Sequence, residues 1–434
     1  MLNAREVRVE RQQRLLKDCS CLICFTMNIA GPYKISDAIK SAFDEGVSKI
    51  MFILEQHGIK PEKTEQYIEK TGVESYIALQ REPLEIKKLT VQIEDNFALG
   101  RLFDIDVIQP DGEKVSRTDI GMPGRNCMIC GSEGSACARS RKHTVEDLQQ
   151  HFIQRICDYF NGQYADWLAQ QAVKALMYEV AVTPKPGLVD RMDNGAHRDM
   201  DFFTFINSST SLYDYFKECA LKAIELSDKT PQMIFENLRY IGMEAEKKMY
   251  KNTCGVNTHK GAIFSFGLII AATAYLHENK KDITPDSVLD ICSQMAQLSL
   301  SDFEDENCHN SFGKEIFARQ KIKGIRGQAA AGYPDVKPAL KLLKESIEQG
   351  DSFDIAGMKT LCLIMSMLED TNIIKRSNVK VLKMVQSKAK DIADCDNVKE
   401  NFERLNKEFI ALNISPGGCA DLLAICFLLY FICD

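Results

Sequence analysis

The chain has 434 residues, 45% of them hydrophobic, so it can bury more than one core, and with domains of about 100–200 residues two or more are predicted. A formal net charge of −7 and a pI near 5.7 exclude an obligate nucleic-acid binder with a broad basic face and confine phosphate recognition to local clusters. The 16 cysteines lie mostly in apolar stretches, Cys21, Cys24, Cys426 and Cys433 among them, and no secretory segment precedes them, which points to reduced thiols and a cytoplasmic protein.

Residues 1–120 mix helix and strand. A charged amphipathic helix is predicted over Ala4–Lys17, an apolar stretch over Leu22–Ala30 and a helix over Ser36–His57. Strands follow at Tyr76–Gln80, Ile86–Ile93, Arg101–Ile108 and Lys114–Thr118, the last two joined by a hairpin at Pro110-Asp111-Gly112. From about Thr144 the apolar spacing is helical nearly throughout, including a helix over Ala165–Val180. The terminal apolar run Leu422–Cys433 is too short for a membrane span of about 20 residues and reads as a buried helix, so no membrane partner is expected. A boundary falls near 145–165 with no Pro/Gly/Ser-rich linker, giving segments 1–155 and 160–434. The predicted fold class is multidomain, α+β followed by all-α.

In "GRLFDIDVIQP", residues 100–110, Phe103, Ile105 and Val107 alternate toward one face and Asp104 and Asp106 toward the other. Side chains at i and i+2 of a strand stand about 6–7 Å apart, close enough to share a divalent cation. Two such carboxylates repel unless positive charge lies between them, and magnesium carrying a polyphosphate supplies it. A solvated edge strand shows the same alternation. Downstream, Arg125, Arg139, Arg141 and Lys142 outnumber Glu133, and such a basic loop suits the oxygens of a metal-bound triphosphate. The same loop spells Cys127-x2-Cys130-x6-Cys137-x5-His143, a ligand set able to close a tetrahedral zinc site; free, partly buried thiols are the plain alternative.

Through "GRLFDIDVI", "SRTDIGMPGRNCMIC" and "CARSRKH", residues of roughly 1–150 resemble the apo-citrate lyase phosphoribosyl-dephospho-CoA transferase family. The resemblance implies a nucleotidyltransferase-like mixed α/β domain. In the implied reaction a serine of the citrate lyase acyl carrier protein (its gamma subunit) attacks the α-phosphorus of triphosphoribosyl-dephospho-CoA and pyrophosphate leaves. On this resemblance Asp104 and Asp106 hold magnesium, Arg101, Arg117 and Arg125 are phosphate ligands together with Arg139 and Arg141, and the base is Asp106 or Asp119.

In the helical half, Glu179 continues the apolar stripe Leu168, Ala172, Leu176, and a buried carboxylate needs a partner. The irregular stretch "TPKPGLVDRMDNGAHRDMDFF" then crowds Lys185, Asp190, Asp193, Asn194, His197 and Asp199 together, as either a solvated excursion or a site. His259 and Lys260 fall in the first turn of an apolar helix, where cations oppose the helix dipole by up to about 1 kcal/mol each, so an anionic ligand accounts for them. In "SPGGCADLLA", Ser415 reads as N-cap and Pro416 as the first helical residue, with Gly417 and Gly418 letting a ligand approach backbone N–H groups; ordinary capping is the alternative. Asp421 precedes an almost wholly apolar run.

Five ordered stretches, "TPKPGLVDRMDNGAHRDMDFF", "GVNTHKGAIFS", "IRGQAAAGYPDV", "LEDTNIIKR" and "SPGGCADLLA", make residues of roughly 163–434 resemble the triphosphoribosyl-dephospho-CoA synthase family. That family's reaction turns ATP and 3′-dephospho-CoA into 2′-(5″-triphosphoribosyl)-3′-dephospho-CoA and releases adenine. Gln328 stands where an acidic residue is usual, and Lys375-Arg376-Ser377-Asn378 replaces a His-Arg-Gly-Gly-like run. The implied chemistry needs an acid for the leaving base, a carboxylate to deprotonate the 2′-hydroxyl and a triphosphate clamp. Glu179, Asp190, Asp199 and Asp370 are candidates for metal or base duty. Lys185, His197, His259, Lys260, Arg326 and Arg376 are candidates for the clamp, and Asn194, Asn257, Asn372, Ser415, Gly417, Gly418 and Asp421 for substrate binding. A single chain would then make and attach the prosthetic group. The rival readings are the equivalent malonate decarboxylase system and a non-catalytic, zinc-stabilised nucleotide sensor.

Overall fold

The computed structural model describes residues 2–301, 322–393 and 397–433. They form two units, residues 1–161 and 162–434, each with its own core.

The first unit is built on a four-stranded antiparallel sheet of order β2-β3-β1-β4: β1 (Cys21–Met27), β2 (Lys63–Glu69), β3 (Gly72–Leu79) and β4 (Phe103–Ile108). β1 reads CLICFTM because it is central and covered on both faces. One face packs on α2 (Asp37–Gln56), where the Phe25 and Phe43 rings stack at 5.0 Å and Phe103 meets Phe25 edge-on at 5.0 Å. Each buried ring contributes roughly 1.5–3 kcal/mol. Gly46 allows this approach, since a Cβ there would collide with the Phe25 ring. The other face holds Leu22, Cys24, Tyr76, Ala78 and Ile108 with Leu15 of α1 (Leu2–Leu16). Arg8 and Arg11 of α1 pair with buried Glu74 at 2.6 and 3.2 Å.

Helix α3 (Pro83–Asn96) closes the free edge of β4: Lys87 Nζ donates to Ile105 O at 3.0 Å and Glu94 Oε1 accepts from Ile105 N at 3.2 Å. The strand predicted at Ile86–Ile93 is thus corrected to helix. Leu89, Val91 and Ile93 alternate, but Ile86, Leu89 and Ile93 also share a helical stripe, and Pro83 at the first helical position favours the helix. The hairpin turn forms, with Gly112 at φ 89° and its N–H on Gln109 O at 2.9 Å. Its return arm is no strand: a single bridge, Ile108 to Lys114, gives way to a 3-10 turn at Thr118–Ile120. β2 has no counterpart among the predicted elements.

A short helix, α4 (Gly134–Ser140), follows, and the division between the units falls inside α5 (Val145–Ala181). The second unit is helical: α6 (Phe202–Ser211), α7 (Tyr213–Glu225), α8 (Pro231–Asn252), α9 (Lys260–Glu278), α10 (Pro285–Ser301), α11 (Gly324–Ala330), α12 (Val336–Glu348), α13 (Phe353–Met367), α14 (Thr371–Arg376), α15 (Val379–Ala393), α16 (Val398–Ala411) and α17 (Gly417–Cys433). Helix α9 packs against α7, α8, α10 and α17. Among the described residues α9 is the one helix long and apolar enough to cross a membrane by length and composition, and its apolar window is 72% buried within the protein. The predicted terminal helix is α17, buried from Leu422 to Leu429.

Candidate active sites

In the first unit, strand alternation puts Asp104 and Asp106 on the α1 side of β4, with Phe103, Ile105 and Val107 in the opposite core. Lys114 Nζ lies 2.5 Å from Asp106 Oδ2. Asp104 keeps solvent-accessible surface, yet the surrounding protein desolvates it and, with the Asp106 charge next, raises its carboxyl above the ordinary carboxylate range; Lys114, Lys87 and Arg8 counter this. Arg117 and Arg125 are engaged elsewhere. Arg117 pairs with Glu94 at 3.0 Å and Asp95 at 2.6 Å, while Arg125 pairs with Glu94 Oε1 and donates to Phe103 O at 2.6 Å. Burial brings the Arg125 guanidinium down to about 10. Asp119 Oδ2 accepts from Ser116 N at 2.8 Å and closes a turn.

A cavity of about 790 Å³ in this unit is lined by Arg101, Arg125 and Arg141 together with Cys127, Cys137 and His143. Asp104, Asp106, Arg117 and Arg139 are not on its wall. The ligand atoms of Cys127, Cys130, Cys137 and His143 all lie within 4.8 Å of one another, and Cys130 Sγ is 3.9 Å from Cys137 Sγ. Tetrahedral zinc with Zn–S bonds of about 2.3 Å separates its sulfurs by about 3.8 Å. His143 Nε2 is buried without a hydrogen-bond partner. The bond with Ser132 first, and then the nearness of His143, bring the Cys130 thiol down to about 5, whereas desolvation pushes Cys137 up to about 11.

In the helical unit a cavity of about 600 Å³ gathers residues from separate segments. The loop after α5 brings Lys185, His197 and Asp199; the start of α9 brings Asn257, His259, Lys260 and Gly261; α11 brings Gln328; α14 and its cap bring Asp370, Asn372, Lys375 and Arg376; and the start of α17 brings Ser415, Gly417, Gly418 and Asp421. Glu179 lies at its base, bound to Lys185 Nζ at 2.5 Å, which neutralises that ammonium; desolvation nonetheless raises the Glu179 carboxyl. His197 Nδ1 faces Arg376 Nη2 at 3.1 Å and its Nε2 lies 2.8 Å from Ser415 Oγ. Because a guanidinium only donates, Nδ1 accepts and Nε2–H donates to Ser415. Burial first and Arg376 second lower His197 to about 4, so it is neutral near pH 7.

His259 caps α9, one residue ahead of the predicted first turn. Its Nδ1 is 2.7 Å from Ser208 Oγ, its Nε2 is buried without a partner, and burial lowers it to about 3. Lys260 pairs with Glu246 at 2.7 Å. Asp370 caps two helices: Oδ1 accepts from Asn372 N at 2.7 Å, and Oδ2 accepts from Cys419 N at 2.9 Å at the start of α17. Gly417 and Gly418 therefore serve side chains rather than open backbone, since a Cβ at 418 would lie 3.1 Å from the Asp370 carboxyl and one at 417 would lie 2.9 Å from Asn372 Nδ2. Ser415 precedes a helix that begins at Gly417, and its hydroxyl engages His197.

Residues 165–434 match the family described as ATP:dephospho-CoA triphosphoribosyl transferase (CitG), and residues 1–159 match apo-citrate lyase phosphoribosyl-dephospho-CoA transferase (CitX). A protein of Haemophilus influenzae named CitXG is 31% identical over 98% of this chain and 94% of its own length. The chain belongs to the CitXG family. The CitXG protein of Leuconostoc mesenteroides subsp. cremoris is 30% identical over the same shares. A Streptococcus mutans protein named probable 2-(5''-triphosphoribosyl)-3'-dephosphocoenzyme-A synthase is 37% identical over 61% of this chain and 95% of its own length.

Not every predicted residue of this CitXG chain reaches a cavity. In the CitG part Asp190 is a loop staple, its Oδ2 accepting Lys185 N at 2.8 Å and its Oδ1 accepting Met192 N at 2.7 Å. Asn194 is off the wall, its carbonyl accepting His197 N at 3.1 Å, and Arg326 reaches Ser299 O at 3.4 Å. Sequence reasoning missed Ser208, which holds His259, and Asn406, which bridges Gly187 N and Asp193. In the CitX part it missed Glu94 and Lys87, although their spacing of seven on an apolar helix was a usable signal.

Proposed function

We infer that this protein performs two consecutive steps in making the prosthetic group of citrate lyase. The helical unit joins ATP and 3′-dephospho-CoA into 2′-(5″-triphosphoribosyl)-3′-dephospho-CoA and releases adenine. The first unit, nucleotidyltransferase-like in its chemistry, transfers the phosphoribosyl-dephospho-CoA group to a serine of the citrate lyase acyl carrier protein and releases pyrophosphate. The reading is carried by one observation: Lys185, His259, Asp370, Arg376 and Asp421, from four separate segments of the CitG-matching part, line a single cavity.

In that cavity Lys260, Lys375 and Arg376 supply positive charge for the triphosphate. His197 and His259, being neutral, orient ligands through hydrogen bonds rather than by charge. Glu179 and Asp370 are committed to Lys185 and to helix starts, and exposed Asp199 is the candidate base for the 2′-hydroxyl.

In the first unit, Arg101, Arg125 and Arg141 would hold donor phosphates. Magnesium fits Asp104 and Asp106, two carboxylates of one strand face where desolvation and then the Asp106 charge raise Asp104; two carboxylates plus phosphate oxygens are a usual magnesium set. Zinc fits Cys127, Cys130, Cys137 and His143, whose buried Nε2 has no other partner, and would hold the loop that carries Arg125 and Arg141.

Two assays test this. Purified protein given ATP, magnesium and 3′-dephospho-CoA must release adenine; none released sinks the synthase assignment. Apo carrier protein must gain the mass of the phosphoribosyl-dephospho-CoA group with wild type and not with Asp104→Asn, which keeps adenine release. Faster modification of a malonate decarboxylase carrier would overturn the citrate assignment.

A further inference from the structure

We propose that Asp421 is the acid that delivers a proton to the adenine departing from C1 of the ATP ribose. The proposal rests on the synthase reading and adds a role that reading leaves open. Asp421 is the sole charged residue of the 17 in α17, and it lies on the cavity wall. Its place is built, not incidental: a Cβ at Gly261, at the start of α9, would collide with Asp421 Oδ2 and come within 3.0 Å of its Cγ. Glycine at 261 gives the carboxyl its space.

Glu179 and Asp370 have their oxygens held, by Lys185 and by backbone N–H groups. Among the described residues no hydrogen-bond donor or cation is bonded to Asp421. A second, independent observation marks the same wall as a place for a ligand: His259, 3% exposed, has its Nε2 buried and unpartnered there.

Glu179 of α5, Tyr333 beyond α11 and Asp370 before α14 act on the Asp421 carboxyl, and Lys185 of the loop after α5, His259 that caps α9 and Lys260 line the same cavity. Burial first, then the Glu179 and Asp370 charges, hold the Asp421 carboxyl well above the ordinary carboxylate range. A carboxylic acid kept neutral by such surroundings is a general acid at neutral pH.

In the step itself the C1–N9 bond breaks and its electron pair stays with adenine. The Asp421 proton passes to a ring nitrogen of the departing base. O2′ of dephospho-CoA bonds to C1, its own proton passes to a base or water, and Asp421 regains one proton, so turnover neither consumes nor releases protons.

The test compares full-length wild type and Asp421→Asn on two substrates with 3′-dephospho-CoA: ATP and 6-chloropurine riboside 5′-triphosphate, whose base leaves as a weaker base and needs less protonation. With ATP, kcat falls by about 10²–10⁴-fold, the usual share of general acid catalysis, while KM moves by only a few fold. With the chloropurine substrate the loss shrinks to below about tenfold, which also shows that the variant is folded. The wild-type kcat declines at high pH, and Asp421→Asn removes that limb. Equal losses on both substrates, or a change confined to KM, overturn the proposal. Wild type that releases no adenine from ATP overturns the synthase reading, and the proposal with it; active wild type with an unimpaired Asp421→Asn overturns the proposal alone.

Discussion

The packing of Gly261 against Asp421 makes a measurable prediction. In Gly261→Ala the new methyl meets the Asp421 carboxyl, with Cγ only 3.0 Å away, so either α9 or the side chain must shift. Overpacking of this kind costs about 1–3 kcal/mol. Alanine in place of glycine in a helix returns up to about 1 kcal/mol, leaving a net destabilisation of about 0–3 kcal/mol. In an Asp421→Ala background the obstacle is gone, and the same substitution should stabilise by up to about 1 kcal/mol. The difference between the two backgrounds, about 1–3 kcal/mol, is free of helix propensity and reports the contact itself. Trp167, the sole tryptophan of the chain, lies in α5 within the helical unit, so denaturant unfolding followed by its fluorescence reads that unit. Equal effects of Gly261→Ala in the two backgrounds would refute the packing argument.

The purified protein should carry one zinc per chain by metal analysis, lost in Cys137→Ser and His143→Ala; wild type without zinc after expression in zinc-replete medium refutes the ligand set drawn from their convergence. Folded His197 titrates near 4 while the unfolded chain takes up a proton below about 6.5, so the stability tied to its neutrality is complete above pH 6.5 and is lost as pH falls toward 4. At about 1.4 kcal/mol per pH unit, the stability difference between wild type and His197→Gln should narrow by up to about 3 kcal/mol over that range; parallel curves refute it. Glu94→Gln leaves Arg117 and Arg125 without their shared anion, and loss of one member of a buried ion pair costs about 3–5 kcal/mol. Thermal unfolding of the first unit checks this, and a loss below about 1 kcal/mol contradicts it.

The alternation at 103–108 was legible because one face of β4 is core, and periodicity records burial. β2 was not: KTEQYIE lies at the sheet edge with mostly exposed side chains, so its strand state comes from pairing with β3 rather than from its own composition. Residues 86–93 satisfied both periods, and only Pro83 could have decided between them. In the helical unit the motif-bearing loops did converge on one cavity, but their order within it was hidden. Asp190 and Asp370 read as free acids from sequence, whereas each spends its oxygens on backbone N–H groups that only the folded loop presents. The separation of Asp104 and Asp106 from the Arg101, Arg125 and Arg141 cavity was equally invisible, since Arg125 is held by Glu94, a helix residue that belongs to neither motif.

The sealing of β4 by Lys87 and Glu94 also limits how the first unit can meet a protein substrate. Both main-chain groups of Ile105 are already taken, so no incoming polypeptide can lengthen the sheet along that border. On the proposed function, a carrier serine that approaches this border would not be met by strand addition, so an extended peptide cut from around it should be a poorer acceptor than the intact carrier.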